Sequence, residues 1–182
     1  MHHSQFISYL ADIYRPNTYV ELGLYEGETL QKVLPFAKQI YGVDMINRSQ
    51  LEKLNSLSNV HISFTTTDEF FKSFNQPIDM AFIDADHNAI SVTKDLTNVL
   101  RLLTPGGIVC LHDTDPESNH LIAPTFCGDS YKLVDILEKT SDLNIITLPI
   151  QEAGFSIVQK KGFTRTQQRM AYEDTVSRIS PS

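Results

Sequence analysis

Short runs of apolar, β-favouring residues recur along this chain, and the segments between them carry apolar residues at helical spacing. The runs predict strands at Thr18 to Leu22, Gln39 to Val43, Val60 to Thr65, Ile78 to Ile83, Gly107 to His112, Leu143 to Leu148 and Phe155 to Gln159. Ser49-Gln50-Leu51-Glu52 has capping-box spacing ahead of Leu54 and Leu57. Leu96, Val99, Leu100 and Leu103 share one helical face, which Pro105-Gly106-Gly107 ends. This alternation predicts βαβ units and an α/β fold: a Rossmann-like, doubly wound sheet, mostly parallel, with helices on both faces. Only Pro149 to Gly154 separates the last two strands, too little for a helical crossover, so they are expected to form an antiparallel hairpin at the sheet edge.

At 182 residues, 41% of them hydrophobic, the chain suits one domain over residues 1–163, with the sheet core at about 17–160. Residues 164–182 are polar and end in Ser-Pro-Ser, a helix or a partly disordered tail outside that core. Fifteen basic against 22 acidic residues, a formal net charge of -7, argue against general nucleic-acid binding or attraction to an anionic membrane. No apolar run spans a bilayer and no signal segment opens the chain. Cys110 and Cys127 have neither metal-motif nor disulfide-framework spacing, so a cytoplasmic home is expected. His2 and His3 receive no function.

The first predicted strand ends in Glu21 and runs into Gly23-Leu24-Tyr25-Glu26-Gly27 before a helix opening at Glu28. Two glycines four apart let backbone approach a ligand closely. The acidic residues Glu21, Glu26 and Glu28 crowd the place where a pyrophosphate is normally held. An adenosine that carries positive charge and no phosphate fits better, and S-adenosylmethionine has that description. The dinucleotide pattern G-x-G-x-x-G is also broken, because Tyr25 stands two residues after Gly23; an NAD-dependent oxidoreductase therefore ranks last. Asp44, closing the second strand, is placed to accept hydrogen bonds from both ribose hydroxyls. The plainer roles are a helix cap for Asp44 and backbone-amide binding for Glu21.

Ligands of doubly wound sheets sit beyond the carboxyl ends of the strands. Asp84, Asp86 and His87 follow the fourth strand and His112 and Asp113 the fifth, so these ends are expected to converge where a methyl group is transferred. Two carboxylates with water or hydroxyl oxygens suit Mg²⁺ or another hard divalent cation, which lowers the pKa of a bound hydroxyl and orients it.

Glu21-x-Gly23-x-x-x-Gly27, Gly42-Val43-Asp44, Phe82-Ile83-Asp84-Ala85-Asp86-His87, Leu103-Thr104-Pro105-Gly106-Gly107 and Cys110-Leu111-His112-Asp113 together resemble the class I S-adenosylmethionine-dependent methyltransferases over about Asn17 to Lys160. The resemblance implies a seven-stranded sheet with a final antiparallel hairpin. It also implies cofactor contacts from Glu21, Gly23, Tyr25, Gly27, Asp44 and Asp84, with Thr66 and Thr67 bordering adenine. Within the class, the chain is similar to the small cation-dependent O-methyltransferases, catechol and macrolide-sugar enzymes among them. On that likeness Asp84 and Asp113 match metal ligands, with Thr114 standing where catechol-type enzymes carry an asparagine ligand and His112 or Asp86 as the residues that complete the set instead. His87 takes the position of a catalytic lysine, and an imidazole of ordinary pKa near 6.5 suits a general base at neutral pH. The plainer alternatives are a turn or helix cap for Asp84, a hydrogen bond to Asp113 or a loop carbonyl for His87, and an orienting role for His112. Thr114 to Tyr131 is long enough to cover a substrate with Leu121, Ile122 and Phe126.

The expected function is O-methylation of a small molecule, a sugar, polyol or phenol, with a homo-oligomer left open. The rival is a nonenzymatic cofactor-binding or assembly protein of the same fold, kept in view because only Met1 to Pro16 precedes the sheet, whereas cation-dependent relatives cover their ligands with additional N-terminal helices.

Overall fold

The computed structural model describes residues 1–140 and 142–162, so the polar tail expected at 164–182 lies outside the described residues. In chain order the elements are α1 (His3–Tyr14), β1 (Thr18–Leu22), α2 (Glu28–Val33), β2 (Gln39–Asp44), α3 (Ser49–Asn55), β3 (Val60–Phe64) and α4 (Thr67–Ser73). There follow β4 (Ile78–Ile83), α5 (Ala89–Leu102), β5 (Leu103–His112), α6 (Lys132–Glu138), β6 (Leu143–Leu148) and β7 (Phe155–Lys160). The strands form one sheet in the order β3-β2-β1-β4-β5-β7-β6. The first five in that order are parallel, β7 runs antiparallel to β5, and β6 to β7, so the expected hairpin is present. Strand order reverses between β1 and β4, which opens a crevice above their carboxyl ends.

Strands buried on both faces read as continuous apolar runs, and for that reason the sequence located them well. Val20, Leu22, Ala81, Ile83, Val109 and Leu111 pack toward α4, α5 and α6. Tyr19, Met80, Phe82 and Cys110 pack toward α1, α2 and α3. Among the described residues, no helix is long and apolar enough to cross a membrane.

Two local expectations need correcting, and one further element appears that the sequence reading did not assign. Leu103 does not extend the helix: α5 stops at Leu102, and Leu103 opens β5 opposite Ile78, after which the register shifts to pair Met80 with Ile108. A buried leucine satisfies either element, so periodicity alone does not place the boundary. The capping box does not form, because Arg48 is the residue before α3 and Ser49 is already helical; its hydroxyl bonds Gln50, and Glu52 instead accepts from Asn47 at 2.9 Å. The segment ahead of the sheet is a helix: Ile7 and Ala11 are buried against the sheet and Phe6 and Leu10 flank them, an i, i+4 pattern.

Candidate active site

The turn after β1 is shaped by close approach of backbone to backbone. Gly23 has φ +85°, and a Cβ there would lie 2.1 Å from the Asp84 carbonyl oxygen, so only glycine lets the turn pass under the end of β4. Its N–H donates to Val43 at 2.9 Å, and Asp84 N–H donates to Leu22 at 2.8 Å. Gly27 precedes α2 at φ +76°, where a Cβ would meet the Leu54 and Leu51 side chains. Asp44 fastens the same turn. Its Oδ2 accepts from Leu24 N–H (3.1 Å) and Tyr25 N–H (3.0 Å), while Oδ1 accepts from Ile46 N–H (2.8 Å) and Arg48 Nη1 (3.4 Å).

Two cavities open above the strand ends and share Gly23, Asp44, Met45 and Ala85. One, of about 370 Å³, lies between Met45 and Ile90, with Thr66, Thr67, Asp86 and the buried Asp95 also on its wall. The other, of about 530 Å³, runs from Tyr25 and Arg48 past Asp84 to His87, His112, Asp113, Leu121 and Phe126.

At the inner end of the larger cavity four titratable groups meet. His112 Nδ1 lies 3.3 Å from Asp84 Oδ1 and 3.0 Å from Asp113 Oδ1, bridging the two carboxylates. His87 Nε2 lies 3.4 Å from Asp113 Oδ2 and 4.0 Å from Asp84 Oδ1. Burial disfavours the charged form of His112, but its bonds to Asp113 and Asp84 outweigh burial and carry the imidazole up to about 10. Burial pushes the Asp113 carboxyl upward, and the bond to His112 with the charges of both imidazoles overrides it, leaving the acid below its usual value. Asp113 has φ +59°; a regular strand would send His112 and Asp113 to opposite faces, and this left-handed kink accompanies their meeting.

Of the expected Mg²⁺ ligands, Asp84 and Asp113 come together and Thr114 does not join them. Asp84, His87 and Asp113 each offer a ligand atom within 4.8 Å of the others. The nitrogen of His112 bridges the same two carboxylates and, as an imidazolium, competes with a cation for them. Thr114 is turned away, its buried Oγ1 accepting from Ser156 Oγ at 2.8 Å.

The sequence profile of a methyltransferase domain family matches residues 20–114, more than half of the chain. The chain belongs to the methyltransferase domain family. No curated protein matches this methyltransferase. Solved structures do, at low identity. The O-methyltransferase from Bacillus cereus, solved with SAH, is 17% identical with a TM-score of 0.69, over 87% of this chain and 80% of that one. TomG from Streptomyces achromogenes, an O-methyltransferase involved in tomaymycin synthesis and solved with SAM, is 17% identical with a TM-score of 0.69, over 88% and 80%. The N-methyltransferase NodS from Bradyrhizobium japonicum WM9 is 13% identical with a TM-score of 0.64, over 86% and 92%. At these identities the likeness establishes the fold and leaves the accepting atom open.

Of the residues singled out in the sequence, Gly23, Tyr25, Asp44, Thr66, Thr67, Asp84, His87, His112 and Asp113 line the joined cavities of the methyltransferase. Glu21, Gly27 and Thr114 do not. Glu21 is buried with its Oε2 accepting from the Tyr19 hydroxyl at 2.6 Å, and burial pushes its carboxyl up to about 8, neutral at pH 7. Glu28 faces Lys32 (2.6 Å) and Ser4 (3.1 Å) rather than the crevice. Arg48 and Asp95 line the cavities without having been singled out. Asp95 had a signal: it is an acid on the buried stripe of α5 with Val92, Leu96 and Val99.

Proposed function

We propose that this methyltransferase binds S-adenosylmethionine across the two joined cavities and transfers its methyl group to a hydroxyl oxygen of a small molecule. The observation that carries this reading is the continuity of the cavities: a narrow one walled by Met45 and Ile90 joins, past Asp44, a wider one that ends in a histidine held by a carboxylate. The apolar side chains of Met45 and Ile90 suit adenine, Asp44 at the junction suits ribose, and Asp84 lies beside the path of the methionyl cations. Gly23 lies on the wall of both cavities, where a Cβ would collide with the Asp84 backbone.

When bound, the cofactor supplies an electrophilic methyl on sulfur, and the carbon–sulfur electron pair leaves with the neutral thioether. His87 takes the acceptor's hydroxyl proton on Nδ1 as the new carbon–oxygen bond forms, while its Nε2 faces Asp113, which orients the ring. His112 keeps Asp113 and Asp84 in place and holds their charges together. A hydroxyl needs such a base at neutral pH, whereas a free amine does not, which favours oxygen over nitrogen as the accepting atom. Leu121 and Phe126 give the acceptor end an apolar wall. No step is routed through a metal, because the gap between the carboxylates is already bridged.

Calorimetry with S-adenosylhomocysteine tests the first half, and transfer of labelled methyl across a panel of phenols, polyols, sugars and amines tests the second. Failure to bind the nucleoside overturns the cofactor reading. Binding without transfer to any acceptor favours a nonenzymatic role, and transfer confined to amines overturns the oxygen reading.

A further inference from the structure

On the cofactor reading just given, the larger cavity must accommodate a zwitterionic methionyl end whose ammonium and sulfonium are cationic and whose third charge is a carboxylate. Asp44, Asp84 and Asp113 answer the cations. The carboxylate needs a donor, and Arg48 is the one lysine or arginine lining that cavity among the described residues. Lys94, on the adenosine side, is paired with Asp68.

Arg48 is held in an orientation that suits this task. Its guanidinium lies over the Tyr25 ring, 5.0 Å from the centroid, and Nη1 donates to the Tyr25 carbonyl at 3.1 Å. The side chain is 25% exposed. Both of its hydrogen bonds leave from Nη1, so Nε and Nη2 donate to nothing among the described residues. A planar fork with donors to spare is the group best matched to a carboxylate.

Asp44 couples this fork to ribose. Its two oxygens already accept four N–H bonds, which uses the acceptor capacity of a carboxylate. An incoming ribose hydroxyl therefore displaces one of them, and the longest, at 3.4 Å, is the bond from Arg48. We propose that Arg48 is the clamp for the α-carboxylate of S-adenosylmethionine, released from Asp44 as the ribose arrives and kept in reach by the Tyr25 ring and carbonyl.

The test is calorimetry of wild type, Arg48→Gln and Arg48→Lys against three nucleosides: S-adenosylhomocysteine, its decarboxylated analogue with the amine intact, and methylthioadenosine. Wild type is expected to prefer S-adenosylhomocysteine over the decarboxylated analogue by about tenfold to a hundredfold, the range of a charge-assisted hydrogen bond. Arg48→Gln is expected to lose that preference while binding the other two as wild type does, and Arg48→Lys to recover part of it. Equal weakening of all three nucleosides in Arg48→Gln would show that the arginine only supports the turn, and overturns the clamp. So does unchanged affinity for S-adenosylhomocysteine, including the case in which only the acceptor's KM rises, which assigns the arginine to an acid on the acceptor. If wild type binds none of the three, the cofactor reading itself fails and the clamp has no ligand.

Discussion

Replacing Glu21 by glutamine removes an ionisable group from the core while leaving an amide oxygen to accept the Tyr19 hydroxyl, so it isolates the cost of the buried charge. Burial lifts the Glu21 carboxyl from an ordinary 4.5 to about 8, the Tyr19 bond offsetting only part of that. The folded state therefore keeps a proton that the unfolded chain loses above pH 4.5, and stability falls as pH rises from there to about 8. At ~1.4 kcal/mol per unit, the full loss is about 5 kcal/mol, of which about 3 kcal/mol falls between pH 5.5 and 8.5. Urea titrations of both proteins at those two pH values give the double difference, in which the other titrating groups cancel. The variant should gain about 3 kcal/mol on wild type across the window, or roughly 6–12 °C in melting temperature for a domain of this size. Parallel stability curves would show that Glu21 is ionised in the folded protein and faces a cation or water, and would refute the reasoning. Affinity for S-adenosylhomocysteine should be unchanged, because the side chain lies outside the cavities.

His87→Ala should lower kcat by about 10²- to 10⁴-fold with little change in cofactor affinity, measured by steady-state kinetics beside calorimetry; an unchanged kcat removes His87 as the base. Gly23→Ala puts a methyl 2.1 Å from the Asp84 carbonyl at φ +85°, and thermal melts should show a loss of several kcal/mol, with nucleoside binding lost in whatever remains folded. Dialysis against EDTA should leave turnover unchanged, since His112 bridges the carboxylates; an EDTA-sensitive rate restored by Mg²⁺ would overturn that placement. Conversely, His112→Ala opens the gap and should bind Mn²⁺ more tightly than wild type by electron paramagnetic resonance, and equal affinities would show that the imidazole does not exclude a cation.

The sheet was legible in the sequence because the central strands β1, β4 and β5 are largely buried apolar runs, each followed by a glycine or an acid. Element boundaries were less so where one residue serves two elements, as Leu103 does, and α1 passed unread although Phe6, Ile7, Leu10 and Ala11 carried its pattern. In the site, strand ends told which acids gather but not which way each one faces. Glu21 and Asp44 both follow apolar runs, yet Glu21 lies on the same strand face as Tyr19, two residues earlier, and follows it into the core under α2. Period-two alternation contained that information. The bridge made by His112 was not readable in the same way, since the left-handed kink at Asp113 breaks the alternation and is visible only in the backbone.

This difference moves the source of the crevice's charge. The sequence suggests that Glu21, Glu26 and Glu28 repel a diphosphate, but Glu21 is neutral in the core, Glu28 is paired with Lys32, and Glu26 is exposed and lines neither cavity. The negative groups that border the ligand path are Asp44, Asp84 and Asp113, each supplied by a strand end and held by backbone amides or by His112. A dinucleotide would set its phosphates at the start of α2, close to Asp44 and Asp84, with Arg48 as the one arginine or lysine of that cavity among the described residues to answer them. A sulfonium nucleoside reverses the balance, because its two cations meet the acids and its single carboxylate meets the single arginine. The preference for such a nucleoside thus rests on the strand-end carboxylates, and exchanging Asp84 for asparagine should weaken S-adenosylmethionine more than the uncharged methylthioadenosine. Equal weakening of the two in calorimetry would remove charge complementarity as the basis of recognition.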